Sequence, residues 1–240
     1  MEFEEAYKTI VKRSVEKNTK EIPAILSCLD FEGLKCLEVG AWPEGRVALK
    51  LAGFAKYVTC MEREKDNVLK ITATAEYLGL EKKVSVICYP GAFEFERFPF
   101  DDKSFDVVYC AWLPHKIATD SRFLDEMIRV SKNHVLILMP GIKGDEPKLV
   151  SILRQGEKER RIQYRDNIIK HFEERGYRTE IKYGILKLDF KDEEEIRGVF
   201  YCLAFKNEEL GKKKKRVDKF LDKRVHDFKD GFYIVHAHPS

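Results

Sequence analysis

The sequence contains no long hydrophobic run. No apolar stretch approaches the roughly 20 residues that a membrane helix needs. The first residues, MEFEEAYKTIVKR, are charged throughout and have no apolar core of the kind found in signal peptides. We therefore expect a cytoplasmic location and no membrane partner.

Glutamine is nearly absent, and neither sign of charge dominates. Charged residues, mainly Lys and Glu, make up 35% of the chain, but the net charge is only +3. Many Lys and Glu residues with few amides are typical of thermophilic proteins. Because so small a net charge creates no global field, a nucleic-acid partner would depend on a local basic patch.

The six cysteines lack the spacing of a zinc site. Five of them lie in or beside apolar runs: Cys36, Cys60, Cys88, Cys110 and Cys202. We expect these to be buried, reduced thiols. His236 and His238 stand two residues apart with no third ligand in the pattern, so we predict no metal site.

Short apolar runs alternate with helical patterns as far as residue 140. The runs that we predict as strands are 34–39, 56–62, 83–89, 105–112 and 133–140. The helical patterns between them include 45–52, 66–80 and 121–131, the second with Val68, Ile71, Ala75 and Leu78 on one face. This alternation indicates βαβ units and a parallel sheet, in a chain long enough for one well-buried α/β core.

The pattern changes after Gly141. One or two helices precede two predicted strands, 177–190 and 196–207, which are close enough to be antiparallel neighbours at a sheet edge. A basic helix with KKKKR at 212–216 and a short apolar end complete the chain. The predicted domains are an N-terminal helical cap at 1–30, a core at 31–206 and a basic C-terminal extension at 207–240.

The loop after the first predicted strand is where an open parallel sheet binds its ligand. It contains Glu38, Val39, Gly40 and Gly45, followed by a short helix. This stretch resembles the first motif of the class I S-adenosylmethionine-dependent methyltransferases of the small-molecule type: an acidic residue, an apolar residue and a loop of three glycines. The middle glycine is missing here, and the loop, with Trp42, is one residue longer.

Further segments extend this resemblance over about residues 30–206. Glu62 ends the second strand, where the family has an acidic residue that accepts hydrogen bonds from both ribose hydroxyls. The stretch FPFDDKSFDVVYCAW is similar to the family's segment between strands three and four, and DEMIRVSKNHVLILMPG is similar to the helix and strand that follow. The resemblance implies an α/β, Rossmann-like fold with a seven-stranded, mostly parallel sheet, one antiparallel edge strand and helices on both faces.

The cofactor that the resemblance implies is S-adenosylmethionine. A second departure is Gly91, which stands where the family usually has an aspartate that receives the adenine amino group, and Phe93 is a candidate to stack on the base. The residues that we expect at the cofactor are Glu38, Gly40, Ala41, Trp42, Gly45, Glu62, Arg63, Gly91, Ala92, Phe93, Ala111 and Trp112.

The segment CAWLPHKI lacks the Asn/Asp-Pro-Pro-aromatic run of relatives that methylate exocyclic amines of bases or glutamine. Trp112, Leu113 and His115 instead resemble the apolar and histidine-containing segment of small-molecule enzymes. His115 is the candidate catalytic base, able to take a proton from a hydroxyl or an acid. We expect methyl transfer to a small-molecule acceptor, and the sequence leaves the acceptor and the oligomeric state open.

The sequence also suggests three other interpretations. The altered loop and Gly91 are the evidence for one alternative, a methyltransferase-like fold that has lost catalysis and serves in binding or regulation. The basic tail suggests an RNA partner, but Asp218, Asp222 and Asp227 are interspersed with its lysines, which favours a solvated helix face and makes nucleic acid the weaker expectation. A nicotinamide-dependent dehydrogenase requires Gly-x-Gly-x-x-Gly, which is absent.

Overall fold

The computed structural model describes residues 3–13, 20–41, 44–93, 97–204 and 207–240. The helices are α1 (Phe3–Arg13), α2 (Ile22–Leu26), α3 (Ala48–Leu51), α4 (Lys65–Tyr77), α5 (His115–Ala118), α6 (Ser121–Val130), α7 (Glu146–Leu153), α8 (Glu157–Glu173), α9 (Glu193–Ala204) and α10 (Asn207–Leu221). The strands are β1 (Lys35–Val39), β2 (Tyr57–Glu62), β3 (Val84–Cys88), β4 (Phe105–Ala111), β5 (Ser131–Pro140), β6 (Tyr177–Leu188) and β7 (Phe228–Pro239), and a 3₁₀ turn, Pro90–Phe93, follows β3. None of these helices has both the length and the apolar character that crossing a bilayer requires.

The seven strands form one sheet in the order β3-β2-β1-β4-β5-β7-β6. The β1–β2, β1–β4, β2–β3 and β4–β5 pairs are all parallel. The chain builds outward from β1 in one direction and then restarts from β4 in the other. Such a reversal leaves a crevice at the carboxyl ends of the two central strands, where doubly wound sheets bind their ligands.

Strand β7 runs antiparallel to β5. His134 near the start of β5 lies beside His236 near the end of β7, with 3.0 Å between Nδ1 and Nε2. Beyond the other end of β5, the N–H of Gly141 donates to the carbonyl of Gly231 at 2.6 Å. Residue numbers therefore rise along one strand as they fall along the other.

Strands β6 and β7 are antiparallel by the same argument. The Ser240 hydroxyl donates to the carbonyl of Gly176 at 2.8 Å, and Gly184 lies under the ring of Phe232, which leaves no room for a Cβ there. The sheet thus ends in an antiparallel pair, and the predicted fold class is confirmed.

The prediction of a strand at residues 196–207 is wrong, because helix α9 covers residues 193–204. Its apolar residues Ile196, Val199 and Phe200 recur at helical spacing and are all buried. The side chain of Asp192 accepts the N–H of Glu195 at 2.8 Å at the start of the helix, where acidic residues are favoured. The β-branched and aromatic content of the segment suggested a strand, but its period is that of a helix.

The chain divides into two compact units. One contains residues 1–24, 140–163 and 183–233, and the other contains 25–139, 164–182 and 234–240. In the first unit, α1, α7, α9 and α10 share an apolar cluster in which the rings of Phe200 and Phe228 are 4.4 Å apart. The seventh strand comes from the segment predicted as an extension, and the boundaries predicted at residues 30 and 206 stay a prediction.

The cysteines are only partly as expected. Cys36, Cys60 and Cys110 are buried, and burial raises the pKa of the Cys36 thiol to about 12. Cys88 is exposed and Cys202 is half-buried, so the prediction of five buried thiols was wrong for these two. Cys88 ends β3, which is an edge strand of the sheet, so it lacks cover from a further strand.

Candidate active site

The predicted site residues lie at the ends of adjacent parallel strands. Val39 at the end of β1 is opposite Met61 of β2, and Glu62 is opposite Cys88 at the end of β3. Since all these strands point the same way, the loops that follow them emerge at one end of the sheet. The residues predicted at the ends of these strands therefore share one end of the sheet, and their role at a cofactor stays a prediction.

Gly40 and Gly45 bound the loop after β1, and both have backbone conformations that suit glycine. Gly40 has φ +76° and donates its N–H to Met61 at 2.8 Å, whereas Gly45 has φ +65° and donates to the carbonyl of Ala41 at 2.8 Å. A Cβ on Gly45 would come within 2.9 Å of Ile71 on α4. These two glycines therefore permit the tight turn that the sequence predicted, although the middle glycine is missing.

Asn67 joins the two sides of this loop, a contact that the sequence prediction missed. Its side-chain oxygen accepts the N–H of Glu44 at 2.9 Å, and its amide nitrogen donates to the carbonyl of Ala41 at 3.4 Å. Glu44 has φ +56°, a left-handed conformation that is uncommon outside glycine. The Asn67 side chain, which is buried, thus satisfies backbone groups of the loop after β1.

Glu38 is a buried carboxylate on β1, paired with Tyr109 of β4. The Tyr109 hydroxyl donates to Glu38 Oε2 at 3.3 Å, and the two residues are opposite each other in the β1–β4 ladder. Burial, with the nearby Glu38 charge as a further cause, raises the pKa of Tyr109 well above its ordinary value. Tyr109 therefore stays protonated as a hydrogen-bond donor that holds the carboxylate in place.

Glu62 is 2% exposed at the end of β2. Its Oε1 accepts the backbone N–H groups of Arg63 at 2.8 Å and Glu64 at 3.2 Å. Its Oε2 is buried and has no hydrogen-bond partner among the residues that the structure describes. Because a buried carboxylate oxygen is costly to leave unpaired, this atom fits a site for donors from outside the protein, such as sugar hydroxyls.

Gly91 lies in the 3₁₀ turn after β3, together with Ala92 and Phe93. The turn follows directly on the β2 end, because Tyr89 donates its N–H to the carbonyl of Glu62 at 2.7 Å. This hydrogen bond places the turn next to the Glu62 end of the sheet, and Gly91 is buried there. Trp42 and the segment 94–96, which follows this turn, lie outside the described residues.

Arg63 contributes to the site through its backbone. Its N–H is one of the two donors to Glu62. Its guanidinium forms an ion pair with Glu64 at 2.8 Å, and both side chains are about half exposed. The contact that we predicted between Arg63 and the cofactor is not tested by these contacts and stays a prediction.

The end of β4 carries an unusual backbone conformation. Ala111 is buried, and the next residue, Trp112, has φ +61° and donates its N–H to the carbonyl of Leu138 at 2.9 Å. A left-handed conformation in so bulky a residue costs on the order of 1 to 3 kcal/mol. Strain of this kind is concentrated at functional sites, which agrees with the place of Trp112 among the candidate residues.

His115 is the first residue of α5 and is half-buried. Its ring lies 5.0 Å from the ring of Tyr164 on α8, with the planes tilted by 32°. The Tyr164 ring therefore packs against one face of the imidazole. Helix α5, which carries His115, begins shortly after the end of β4. The structure therefore places the predicted base three residues beyond the strained Trp112.

A comparison with protein families identifies the type of domain that contains the candidate site. Residues 37–139 match a family model described as a methyltransferase domain. This segment is a methyltransferase domain. It covers less than half of the chain but contains β2 to β4 and all of the predicted site residues, and it confirms the predicted resemblance to the class I S-adenosylmethionine-dependent methyltransferases. No curated protein sequence matches the chain.

Solved structures share the fold of this chain. A proposed methyltransferase from Bacillus halodurans C-125 has a TM-score of 0.64 at 18% identity, covering 92% of this chain and 100% of that one. The [4+2]-cyclase SpnF has a TM-score of 0.57 at 15% identity, covering 92% of this chain and 80% of that one. A methyltransferase from Thiobacillus denitrificans, in complex with S-adenosyl-L-homocysteine, has a TM-score of 0.56 at 12% identity, covering 92% and 91%. At these identities the likeness shows the fold alone.

Proposed function

We propose that the protein is an S-adenosylmethionine-dependent methyltransferase that acts on a small-molecule acceptor in the cytoplasm. The observation that carries the proposal is the unpaired, buried Oε2 of Glu62 at the end of β2 in a methyltransferase domain. The methyltransferase neighbour that holds S-adenosyl-L-homocysteine supports the choice of ligand.

The chain's own groups suit each part of this cofactor. Glu62 Oε2 would accept the ribose hydroxyls, and Gly40 and Gly45 let the loop backbone approach the ligand without a Cβ in the way. The turn from Gly91 to Phe93 offers backbone groups to the base in place of the missing aspartate. Ala111 and Trp112 would line the site at the end of β4.

When bound, S-adenosylmethionine supplies a methyl group that its sulfonium charge already activates for in-line displacement. The protein therefore mainly has to position the acceptor and exclude water. His115 is the group that we assign to deprotonate an acceptor hydroxyl or acid, taking the proton on a ring nitrogen. Stacking against Tyr164 would keep the ring in a fixed orientation while it does so.

Calorimetric titration tests the proposal. We expect saturable binding of S-adenosylmethionine and S-adenosyl-L-homocysteine by the whole chain and none of NAD. Glu62→Ala should weaken binding by about 1.5 to 3 kcal/mol, the value of hydrogen bonds to a charged group. Glu64→Ala is the matched control, because its carboxylate is 58% exposed and pairs only with Arg63 among the ion pairs that the structure describes.

Two results would contradict the proposal. Folded protein that binds neither compound would show that the altered loop no longer holds the cofactor. Equal losses in the Glu62 and Glu64 variants would remove Glu62 from the site. If binding is confirmed, a screen of small hydroxyl and carboxyl compounds with labelled methyl donor, in wild type and His115→Gln, tests the acceptor class and the base.

A further inference from the structure

The first turn of α4 connects two loops of the candidate site. At its start, Glu62 accepts the N–H groups of Arg63 and Glu64, which lead into the helix. Asn67, the third residue of the helix, reaches the other loop through Ala41 and Glu44. One short segment therefore fixes both the proposed ribose acceptor and the backbone after β1.

Asn67 also occupies a position where an apolar residue would be expected. It shares the buried face of α4 with Ile71 and Ala75 and is 6% exposed. Burying a polar side chain costs free energy unless its polar atoms form hydrogen bonds. Both hydrogen bonds of Asn67 go to main-chain groups of one loop. Its amide oxygen accepts the N–H of Glu44 and its amide nitrogen donates to the carbonyl of Ala41, so both ends of the amide are used.

We infer that Asn67 is a positioning residue for the cofactor, an inference that rests on the proposed function. The missing middle glycine leaves the loop with Glu44 in a left-handed conformation, φ +56°, which a non-glycine residue does not adopt without support. The Asn67 bridge supplies that support between Gly40 and Gly45. The backbone at Ala41 and Glu44 is thereby held in place before the ligand arrives, which reduces the ordering cost of binding.

Without the amide, the N–H of Glu44 and the carbonyl of Ala41 lose their hydrogen bonds to Asn67. The carbonyl of Ala41 would keep the N–H of Gly45, but the N–H of Glu44 would have to find water or another group, and the backbone at these two residues would relax away from its present conformation. The helix itself would change little if an apolar side chain of similar size took the place of Asn67, because Ile71 already packs on that face.

The test compares Asn67→Leu with Thr74→Ala. Leucine keeps the branched shape of the side chain, is somewhat larger, and loses both hydrogen bonds. The Thr74 hydroxyl, in contrast, bonds within α4 to the carbonyl of Lys70 at 2.8 Å, on the exposed side. Calorimetry should give S-adenosyl-L-homocysteine binding about tenfold weaker, or more, in the Leu variant, and unchanged in the Thr74 variant. The ligand-free melting temperature should stay close to that of wild type, and amide hydrogen exchange at Glu44 should speed up selectively.

Asn67→Asp, which keeps the acceptor for Glu44 and loses the donor for Ala41, is a second variant in case leucine prevents folding, and it should also bind more weakly than wild type. If wild type binds and the folded variants bind within twofold of it, the inference is overturned while the proposed function stands. A lower melting temperature with unchanged affinity would likewise overturn it, because Asn67 would then have a structural role only. If wild type itself binds nothing, the proposed function fails and this inference fails with it.

Discussion

Acid should destabilise this protein through His236. The histidine cluster consists of His134, His236 and His238, whose ring centres are 5.2 to 6.3 Å apart at the junction of β5 and β7. His236 is 4% exposed, and its Nε2 lies 3.0 Å from Nδ1 of His134, so one nitrogen must accept while the other donates. Protonation of both rings would place two N–H groups against each other, with the charge of Lys182 also nearby.

The magnitude follows from the pKa of His236. Burial, and then the neighbouring His134, His238 and Lys182, lower this pKa from 6.5 to about 4. Between these two values the unfolded chain binds a proton that the folded chain does not, so the free energy of unfolding falls as the pH falls. The contribution is fully retained above pH 6.5, is lost progressively toward pH 4, and amounts to about 3 kcal/mol for this group.

The assay is urea unfolding of wild type, His236→Gln and His226→Gln at a series of pH values from 7 to 4. Glutamine can keep a hydrogen bond to His134 but cannot be charged, so the free energy of unfolding of that variant should depend less on pH by about 3 kcal/mol over this range. His226 is the control, because its side chain is 74% exposed and bonds Asp189 at 2.9 Å. Identical pH dependence in wild type and His236→Gln would refute the reasoning.

Three further predictions concern single substitutions. Gly45→Ala should lower the free energy of unfolding by at least about 1 kcal/mol and weaken cofactor binding, because φ is +65° and the Cβ would press on α4; thermal melting and calorimetry check both effects. Tyr109→Phe should cost about 1 to 3 kcal/mol in urea unfolding, because it removes a buried donor to Glu38; an unchanged midpoint would contradict the pairing. Glu146→Ala should lower the free energy of unfolding by about 3 to 5 kcal/mol in the same assay, because it leaves the buried Arg161 without its main counterion. Arg161 donates to the Glu146 carboxylate at 2.5 and 2.7 Å. A loss below about 1 kcal/mol would contradict this role of the ion pair.

The sequence predicted the positions of β1 to β5 because buried parallel strands are short, continuous apolar runs between helical patterns. The candidate site was predicted from them, because the ends of such strands lie together once the topology is known. Glu38, Gly40, Gly45 and Glu62 are local features of this kind. Each can be recognised from its own few neighbours in the chain.

The errors and omissions depend on distant contacts. Helix α9 was predicted as a strand because residue types were weighed above spacing, and the short apolar end of the chain was not recognised as β7 because nothing local shows where a strand inserts. In α4 the predicted face included Val68 and Leu78, but Leu78 is 53% exposed and the buried face instead contains Asn67. A polar residue in register with Ile71 and Ala75 was the available signal for the Asn67 bridge.

The pairing of Tyr109 with Glu38 could not be predicted either. It joins residues that are 71 positions apart, and it depends on the register between β1 and β4. The unpaired Oε2 of Glu62 is a further property of the folded chain, because it depends on which neighbours bury the carboxylate without bonding to it.

The measurement that tests the central claim most directly is a thermodynamic cycle on Glu62 and the ribose. Calorimetry would compare S-adenosyl-L-homocysteine with its analogues lacking the 2′ or the 3′ hydroxyl, in wild type and in Glu62→Ala. If Glu62 accepts these hydroxyls, removing one should weaken binding to wild type by about 1.5 to 3 kcal/mol and have little further effect in the variant. Equal losses in both proteins would show that the ribose is held elsewhere and would contradict the assignment of this site.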